Sequence, residues 1–319
     1  MDKQTFSGDT VAPQSEMPAP EAAPRRGFAI ALMIISSAAL SFGGLILRNI
    51  GEADAWQINF YRSLALIMAV ALILVFQYRG AAVSQIRKVG RAGLWASFLI
   101  AAAGIGFIQA INNTTVANTM FTLSAIPFIT AALARVFLNE ALKPVTLYAM
   151  IAAAIGVTVM VADGFGIGSG YGNIMALGTA CCFAGFTVIV RSNRHIDMLP
   201  TLMISGLMIA AVAFIMRFDD LGITFKDMML CFLWGGVLSG FGNGMFIVAS
   251  RHLVAAELTL FMLLEFALAP LWVWLLIAEA PTIWALAGGA LVITSVTVRA
   301  LIELKGTGRR LRRGRPSPL

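Results

Sequence analysis

Long apolar stretches separated by short polar breaks fill the chain from residue 27 onward. Each stretch is about 20 residues long, which is the length at which a helix crosses the hydrocarbon core of a bilayer. The stretches are continuously apolar rather than alternating, and a helix satisfies its own backbone polar groups in lipid, so helices are predicted rather than barrel strands. Ten segments are predicted, at 27–47, 57–78, 91–111, 116–138, 145–163, 172–190, 199–217, 228–250, 255–277 and 282–302.

Composition supports a membrane protein. The chain is 59% hydrophobic and 12% charged, whereas soluble proteins are about 25% charged. The mean hydropathy of +0.85 leaves too few polar residues for a water-facing surface. Three cysteines argue against a disulfide scaffold and two histidines against a His-based zinc site. No phosphate-binding loop of the G-x-x-x-x-G-K-[ST] type is present, so we expect neither a cofactor nor a metal.

The basic residues predict the orientation. With the N-terminus inside, 19 of the 23 Lys and Arg residues fall on the inner side, three fall outside (Arg48, Arg217 and Lys226), and Arg62 lies within a helix. This asymmetry predicts a multi-pass protein of the cell inner membrane with both termini cytoplasmic.

The two terminal segments carry separate expectations. Residues 1–26 are rich in Pro, Ala and Glu, so they are predicted to be a disordered cytoplasmic tail, and no cleaved signal peptide is expected. The basic tail, 303–319, is interpreted as a topology anchor on anionic lipid. It has no aromatic residues to stack on bases, so no nucleic-acid partner is expected.

An internal repeat relates the two halves. Residues 94–159 align without a gap on 233–298, with Trp95 matching Trp234 in a constant register of 139 residues. Because each half has five predicted helices, an odd number, the second half enters the membrane from the opposite side. The predicted fold is an all-α membrane protein with ten transmembrane helices arranged as two inverted five-helix repeats. These units are 27–163 and 172–302, joined by the extracytoplasmic Gly-rich linker 164–171.

Four short motifs accompany this pattern: Phe60-Tyr61-Arg62, Phe137-Leu138-Asn139-Glu140, Leu264-Glu265-Phe266 and Ile277-Ala278-Glu279. Together with the five-plus-five repeat they resemble EamA-type members of the drug/metabolite transporter superfamily. Asn139 and Ala278 stand where that family has Gly, and Phe266 where it has Pro. The resemblance implies a central cavity lined by helices one, three, four, six, eight and nine. It also implies transport of small organic solutes, often amino acids or other metabolites and commonly by export.

Two charged residues lie deep in predicted helices, Glu265 in the ninth and Arg62 in the second. A charge at that depth indicates function by default. For Glu265 the functional hypothesis is a proton carrier or a partner for a substrate ammonium. The structural alternative is a hydrogen bond to a neighbouring helix, for example to Asn243. For Arg62 the alternatives are snorkelling to the outer interface or a fixed structural pair.

Uncharged polar residues complete the predicted substrate-binding or coupling set. An amide in lipid needs a partner, whereas small and hydroxyl residues more often indicate close helix packing. The candidates are Asn243, Asn118, Gln109, Thr122, Ser239 and Ser41.

These observations predict a secondary transporter that moves small amino-acid-like or other polar solutes, by export, through alternating access. One alternative is uptake of a flat heterocycle, such as a riboflavin-like vitamin or a nucleobase. Another is a non-transporting assembly or receptor subunit. An intramembrane enzyme is not expected, because no H-E-x-x-H string or paired aspartates occur in the predicted spans. The expected partners are a small-molecule solute and the lipid bilayer, and a homodimer is left open.

Overall fold

A computed structural model describes residues 23–162, 169–277 and 282–313, and all regular structure in these ranges is helical. The first half contains α1 (Ala23–Leu40), α2 (Gly43–Asn49), α3 (Ala55–Tyr78), α4 (Ala82–Lys88), α5 (Gly90–Asn113), α6 (Val116–Leu123), α7 (Ile126–Leu138) and α8 (Pro144–Met160). The second half contains α9 (Gly170–Ser192), α10 (Pro200–Met216), α11 (Phe225–Phe232), a π-helix (Leu233–Phe241), α12 (Gly242–Ser250), α13 (Ala255–Ile277) and α14 (Ile283–Arg313).

Each of the ten predicted segments falls on helix. Within the described ranges, eight continuous helical stretches are long and apolar enough to cross a membrane, and α8 and α10 are shorter apolar helices. The chain is therefore an all-helical, multi-pass membrane protein, and the count of ten spans stays a prediction. Helix α1 begins at Ala23, inside the predicted tail, and α14 continues beyond residue 302 to Arg313. Most of the predicted linker lies outside the described residues.

Three of the apolar segments are interrupted. A turn at Ser41 and Phe42 separates α1 from α2, and another at Ser124 and Ala125 separates α6 from α7. The next helical turn contains Pro127, which is tolerated there because the first turn of a helix has no partner for that backbone N–H. Between α11 and α12 the chain forms a π-helix, a form frequently found at functional sites.

The helix packing follows the five-plus-five pattern. Helix α8 lies along α14 and α3 along α10, so segments five and two each contact their own counterparts in the other half. The contact of α5 with α9 is matched by that of α1 with α12. Two helix starts repeat at the same offset of 139 residues: α6 and α13 begin at Val116 and Ala255, and α8 and α14 begin at Pro144 and Ile283.

Buried ion pairs close the end of the bundle where α1 begins and α14 leaves the apolar region. The carboxylate of Glu257 is 1% exposed and accepts hydrogen bonds from Arg26, at 2.6 and 2.8 Å, and from Arg299, which is 2% exposed. Glu303 pairs with Arg26 at 2.7 Å, with Arg299 at 2.9 Å and with Lys143 at 3.3 Å. We call these five residues the inner ion cluster. It joins α1, α13, α14 and the segment before α8.

A second contact at the same end explains one of the sequence motifs. Asn139 adopts a left-handed conformation, with φ of 53°, where α7 ends. Gly adopts this conformation most easily and Asn tolerates it, which accounts for Asn at a position where the resembling family has Gly. The turn directs Glu140 to Arg191 Nε at 2.8 Å and to the backbone N–H of Ala255 at 3.0 Å. The motif therefore fastens the ends of α7, α9 and α13 together. The corresponding motif of the second half is Ile277-Ala278-Glu279, and its residues from 278 onward lie outside the described ranges.

Candidate functional site

A cavity of about 760 Å³ lies between the two halves, and all ten apolar segments contribute to its wall. At one end it extends to Arg48, Val116 and Thr282, which are exposed at the ends of α2, α6 and α14. The inner ion cluster lies at the opposite end of these segments, and none of its members lines the cavity. The described structure is therefore accessible from one side and closed by ion pairs on the other.

The helix interruptions all fall on the cavity wall. Ser41 and Gly43 flank the first break, and Leu123 and Ile126 flank the second. Ser239 comes from the π-helix. Irregular backbone at membrane depth is tolerated where it lines a cavity, and broken helices commonly build transporter binding sites. The cavity thus has the location and local backbone of a solute site.

The wall is mostly apolar. Among the described residues that line it, the charged ones are Arg48, Arg62 and Glu265. Phe and Met side chains provide much of the remaining surface, namely Phe107, Phe183, Phe266, Met120, Met160 and Met262. A wall of this kind suits an amphipathic solute whose apolar part contacts rings and thioethers.

Glu265 lies in the cavity wall, on α13. No hydrogen bond or ion pair reaches this carboxylate from any residue that the structure describes. Asn243, the structural partner considered from sequence, also lines the cavity, but its Nδ2 donates instead to the backbone oxygen of Ser239 at 2.9 Å. The expected interhelical hydrogen bond is therefore not formed, and Glu265 faces the cavity.

Arg62 does not snorkel to the interface. Its guanidinium carbon lies 4.9 Å from the ring centroid of Trp234, which is 4% exposed, and both residues line the cavity. The close approach of α3 to the π-helix depends on Gly235, where an added Cβ would lie 1.9 Å from the carbonyl oxygen of Arg62. The two residues form a cation–π pair in the cavity wall.

Two of the predicted site residues, Ser41 and Ser239, line the cavity, and the hydroxyl of Ser41 is already engaged. It accepts a hydrogen bond from Trp272 Nε1 at 2.6 Å and donates to the carbonyl oxygen of Ala38 at 2.7 Å. The Trp272 ring also stacks on Phe42, with centroids 4.4 Å apart. Trp272 therefore joins α13 to the first helix break.

Three predicted site residues do not line the cavity: Asn118, Gln109 and Thr122. Asn118 donates to Thr114 Oγ1 at 3.3 Å, and Thr122 donates to the backbone oxygen of Asn118 at 2.9 Å. The Gln109 side chain is buried; its Oε1 accepts from Asn113 at 3.3 Å, and its Nε2 has no hydrogen-bond partner in the structure. In this structure the side chains of these three residues contact neighbouring residues away from the cavity wall.

The inner ion cluster was not predicted from the sequence. The sequence did contain one indication of a buried charge. Arg299 lies three residues after Val296, on the same helical face and within the apolar part of the last segment. A charge on a buried helical face requires a partner. Its identity could not be read from the sequence, because Glu257 is 42 residues away.

The comparison with protein families identifies the chain's relatives. Residues 27–162 match the sequence model of the EamA-like transporter family, which is part of the drug/metabolite transporter superfamily. The resemblance to EamA-type transporters is therefore confirmed. The match runs over nearly the same residues as the first predicted repeat. A comparison with curated proteins finds no match.

Solved structures support the same architecture. One crystal structure superposes on this chain with a TM-score of 0.75, covering 87% of this chain and 99% of its own. The two sequences are 14% identical. At that identity the match shows a shared fold.

Proposed function

We propose that this protein is a secondary transporter that exports small, amphipathic, amino-acid-like solutes through the central cavity by alternating access. The observation that carries the proposal is the cavity itself, which is accessible from one side and closed on the other, and whose wall includes Glu265, a carboxylate without a partner among the described residues. Transport is the general activity of the EamA-like family, and export is the direction that the resemblance implies.

We also propose that the two halves are inverted repeats of five spans each. The shared offset of 139 residues between helix starts and the matched helix pairs support this. Trp95 and Trp234 occupy equivalent positions in that register, although Trp95 is 62% exposed and Trp234 is 4% exposed. Two such halves rocking about the cavity would expose it to one side at a time.

With both termini cytoplasmic, as the basic residues predict, the described state is outward-facing. The inner ion cluster and the Glu140–Arg191 contact then form the closed cytoplasmic side. In this scheme Glu265 couples transport by carrying a proton or by binding a substrate cation. Placing an ionised carboxylate at the centre of a span costs about 2.5 kcal/mol or more. Glu265 lies in the cavity wall, where water and solute can reach it, and this position allows its carboxylate to ionise.

The test is uptake by proteoliposomes, screened over amino acids, vitamins and nucleobases with and without a pH gradient. Ala269 lines the cavity, so Ala269→Trp should block entry of solute. Ala132 is exposed on α7 and outside the cavity, and Ala132→Trp is the matched control. We expect pH-gradient-dependent uptake of at least one amphipathic solute by wild type and by Ala132→Trp, and its loss in Ala269→Trp.

Accumulation of a vitamin or nucleobase alone would favour the heterocycle alternative, for which the Phe rings in the cavity wall offer stacking partners. Binding of a solute without uptake would indicate a receptor. Equal uptake by the two Trp variants would show that the cavity is not the solute path.

A further inference from the structure

The guanidinium of Arg62 is a charged group in the cavity wall, and no carboxylate of the described residues pairs with it. Among the residues that the structure describes, none forms an ion pair or hydrogen bond with it. Its position is close to Gly104 of α5, since a Cβ on Gly104 would lie 3.4 Å from Nη2. The group therefore lies between α5 and the π-helix, at the wall of the cavity.

The contact with Trp234 leaves the hydrogen-bonding capacity of Arg62 unused. A ring face attracts the positive charge, by about 0.5–2 kcal/mol, but it does not accept the guanidinium N–H groups that point outward in their own plane. Arginine has five such donors in a rigid fork that matches a carboxylate in bidentate geometry. Since no described residue accepts a hydrogen bond from the Arg62 guanidinium, these donors are available to whatever enters the cavity.

The pair is also held in place from both sides. Trp234 lies against α2, because a Cβ on Gly43 would be 2.8 Å from its Nε1. The backbone of Arg62 is fixed by its contact with Gly235. A receptor for an anion gains affinity when its donors are positioned before binding, and both partners here are buried or partly buried on packed helices.

We propose that Arg62, positioned by Trp234, is the recognition site for a carboxylate or similar oxyanion of the transported solute. This inference rests on the proposed function and names the chemistry of one end of the substrate. Glu265, on α13 in the same cavity, disfavours an anion at its own position and favours a cationic group there. The solute is thereby oriented, with its anionic group at Arg62 and its apolar part along the Phe and Met side chains.

The experiment uses four compounds that share a phenyl ring and differ in charge: L-phenylalanine, L-phenylalanine amide, 3-phenylpropanoate and 2-phenylethylamine. Binding is measured on the full-length protein in lipid nanodiscs, for wild type, Arg62→Gln, Arg62→Lys and Arg217→Gln. Arg217 pairs with Asp54 at the outer surface and does not line the cavity, so its variant is the control for loss of a positive charge.

We expect wild type and Arg217→Gln to bind the two carboxylates more tightly than the amide and the amine. Arg62→Gln should lower affinity for the carboxylates by about 10-fold to 100-fold, the range for a hydrogen bond to a charged group, and change affinity for the other two much less. Arg62→Lys, which keeps the charge without the fork, should fall in between.

Arg62 would be only structural if Arg62→Gln lowered the affinity for all four compounds equally. The same conclusion would follow if the ratio of carboxylate affinity to amide affinity stayed unchanged in both Arg62→Lys and Arg62→Gln. In that case uptake by wild type would still stand, and so would the proposed function. Preference of wild type for the amide over the acid would overturn the inference directly. Failure of wild type to transport any solute in the screen would instead overturn the proposed function.

Discussion

Replacing Glu257 with Gln should open the closed side of the molecule. Glu257 and Arg299 are almost fully buried, and Glu257 also binds Arg26 through both carboxylate oxygens. Removing one partner of a buried ion pair costs about 3–5 kcal/mol. The lower end applies here, because Glu303 still neutralises Arg299 at 2.9 Å. If the inner ion cluster forms only in the outward-facing state, a loss of about 3 kcal/mol shifts the equilibrium toward the inward-facing state by about 100-fold.

The assay is side-specific thiol labelling. Ser239 lines the cavity, so Ser239→Cys is introduced after Cys181, Cys182 and Cys231 have been replaced. An impermeant thiol reagent is then applied to right-side-out and inside-out vesicles. We expect labelling from outside without Glu257→Gln, and labelling that moves to the cytoplasmic side with it.

The control is Lys143→Gln. The contact of Lys143 with Glu303 is half-exposed, at 3.3 Å, and exposed pairs contribute about 0–1 kcal/mol, so labelling should stay external. If Glu257→Gln leaves external labelling unchanged while the protein remains folded, the cluster is not a gate and the reasoning is wrong.

Three further predictions concern packing, each measured as thermal unfolding of purified protein. Gly235→Ala should strongly destabilise the fold, because its Cβ meets backbone of α3 at 1.9 Å, whereas Gly178→Ala, with nothing within 4 Å, should be tolerated; equal effects would contradict the contact. Asn139→Val should cost about 1–2 kcal/mol at its left-handed φ, and Asn139→Gly should not. Glu140→Gln should cost about 3 kcal/mol, because it leaves the buried Arg191 without its carboxylate; an unchanged unfolding temperature would refute this.

The fold could be predicted to the extent that span length and charge asymmetry determine it. A run of about 20 apolar residues has few alternatives to a helix in a bilayer, so all ten segments were found as helices, with ends close to those expected. The breaks at Ser41–Phe42 and Ser124–Ala125 were not expected. Hydrophobicity is continuous across them, and the first break is held by a contact with another helix, the hydrogen bond from Trp272 to Ser41.

The candidate site was only partly predictable for a related reason. Charges at membrane depth require an explanation wherever they occur, so Glu265 and Arg62 could be identified from sequence. Which way an amide faces depends on the rotation of its helix, and a uniformly apolar helix carries little pattern that determines rotation. Asn118 and Gln109 lie off the cavity wall. The cation–π contact between Arg62 and Trp234, which are 172 residues apart in the chain, depends on the packing of α3 against the π-helix.

The most direct test of the account compares solute accumulation in proteoliposomes containing wild type, Glu265→Gln and Glu52→Gln, across a series of pH gradients. Glu52 is an exposed carboxyl outside the central cavity and serves as the matched control. Gln is nearly the size of Glu and cannot ionise, so the substitution removes the charge while retaining the packing. The account predicts that Glu265→Gln inserts and folds but loses pH-gradient-dependent accumulation, while Glu52→Gln behaves as wild type. Wild-type accumulation with an unchanged pH profile in Glu265→Gln would show that the cavity carboxylate is structural.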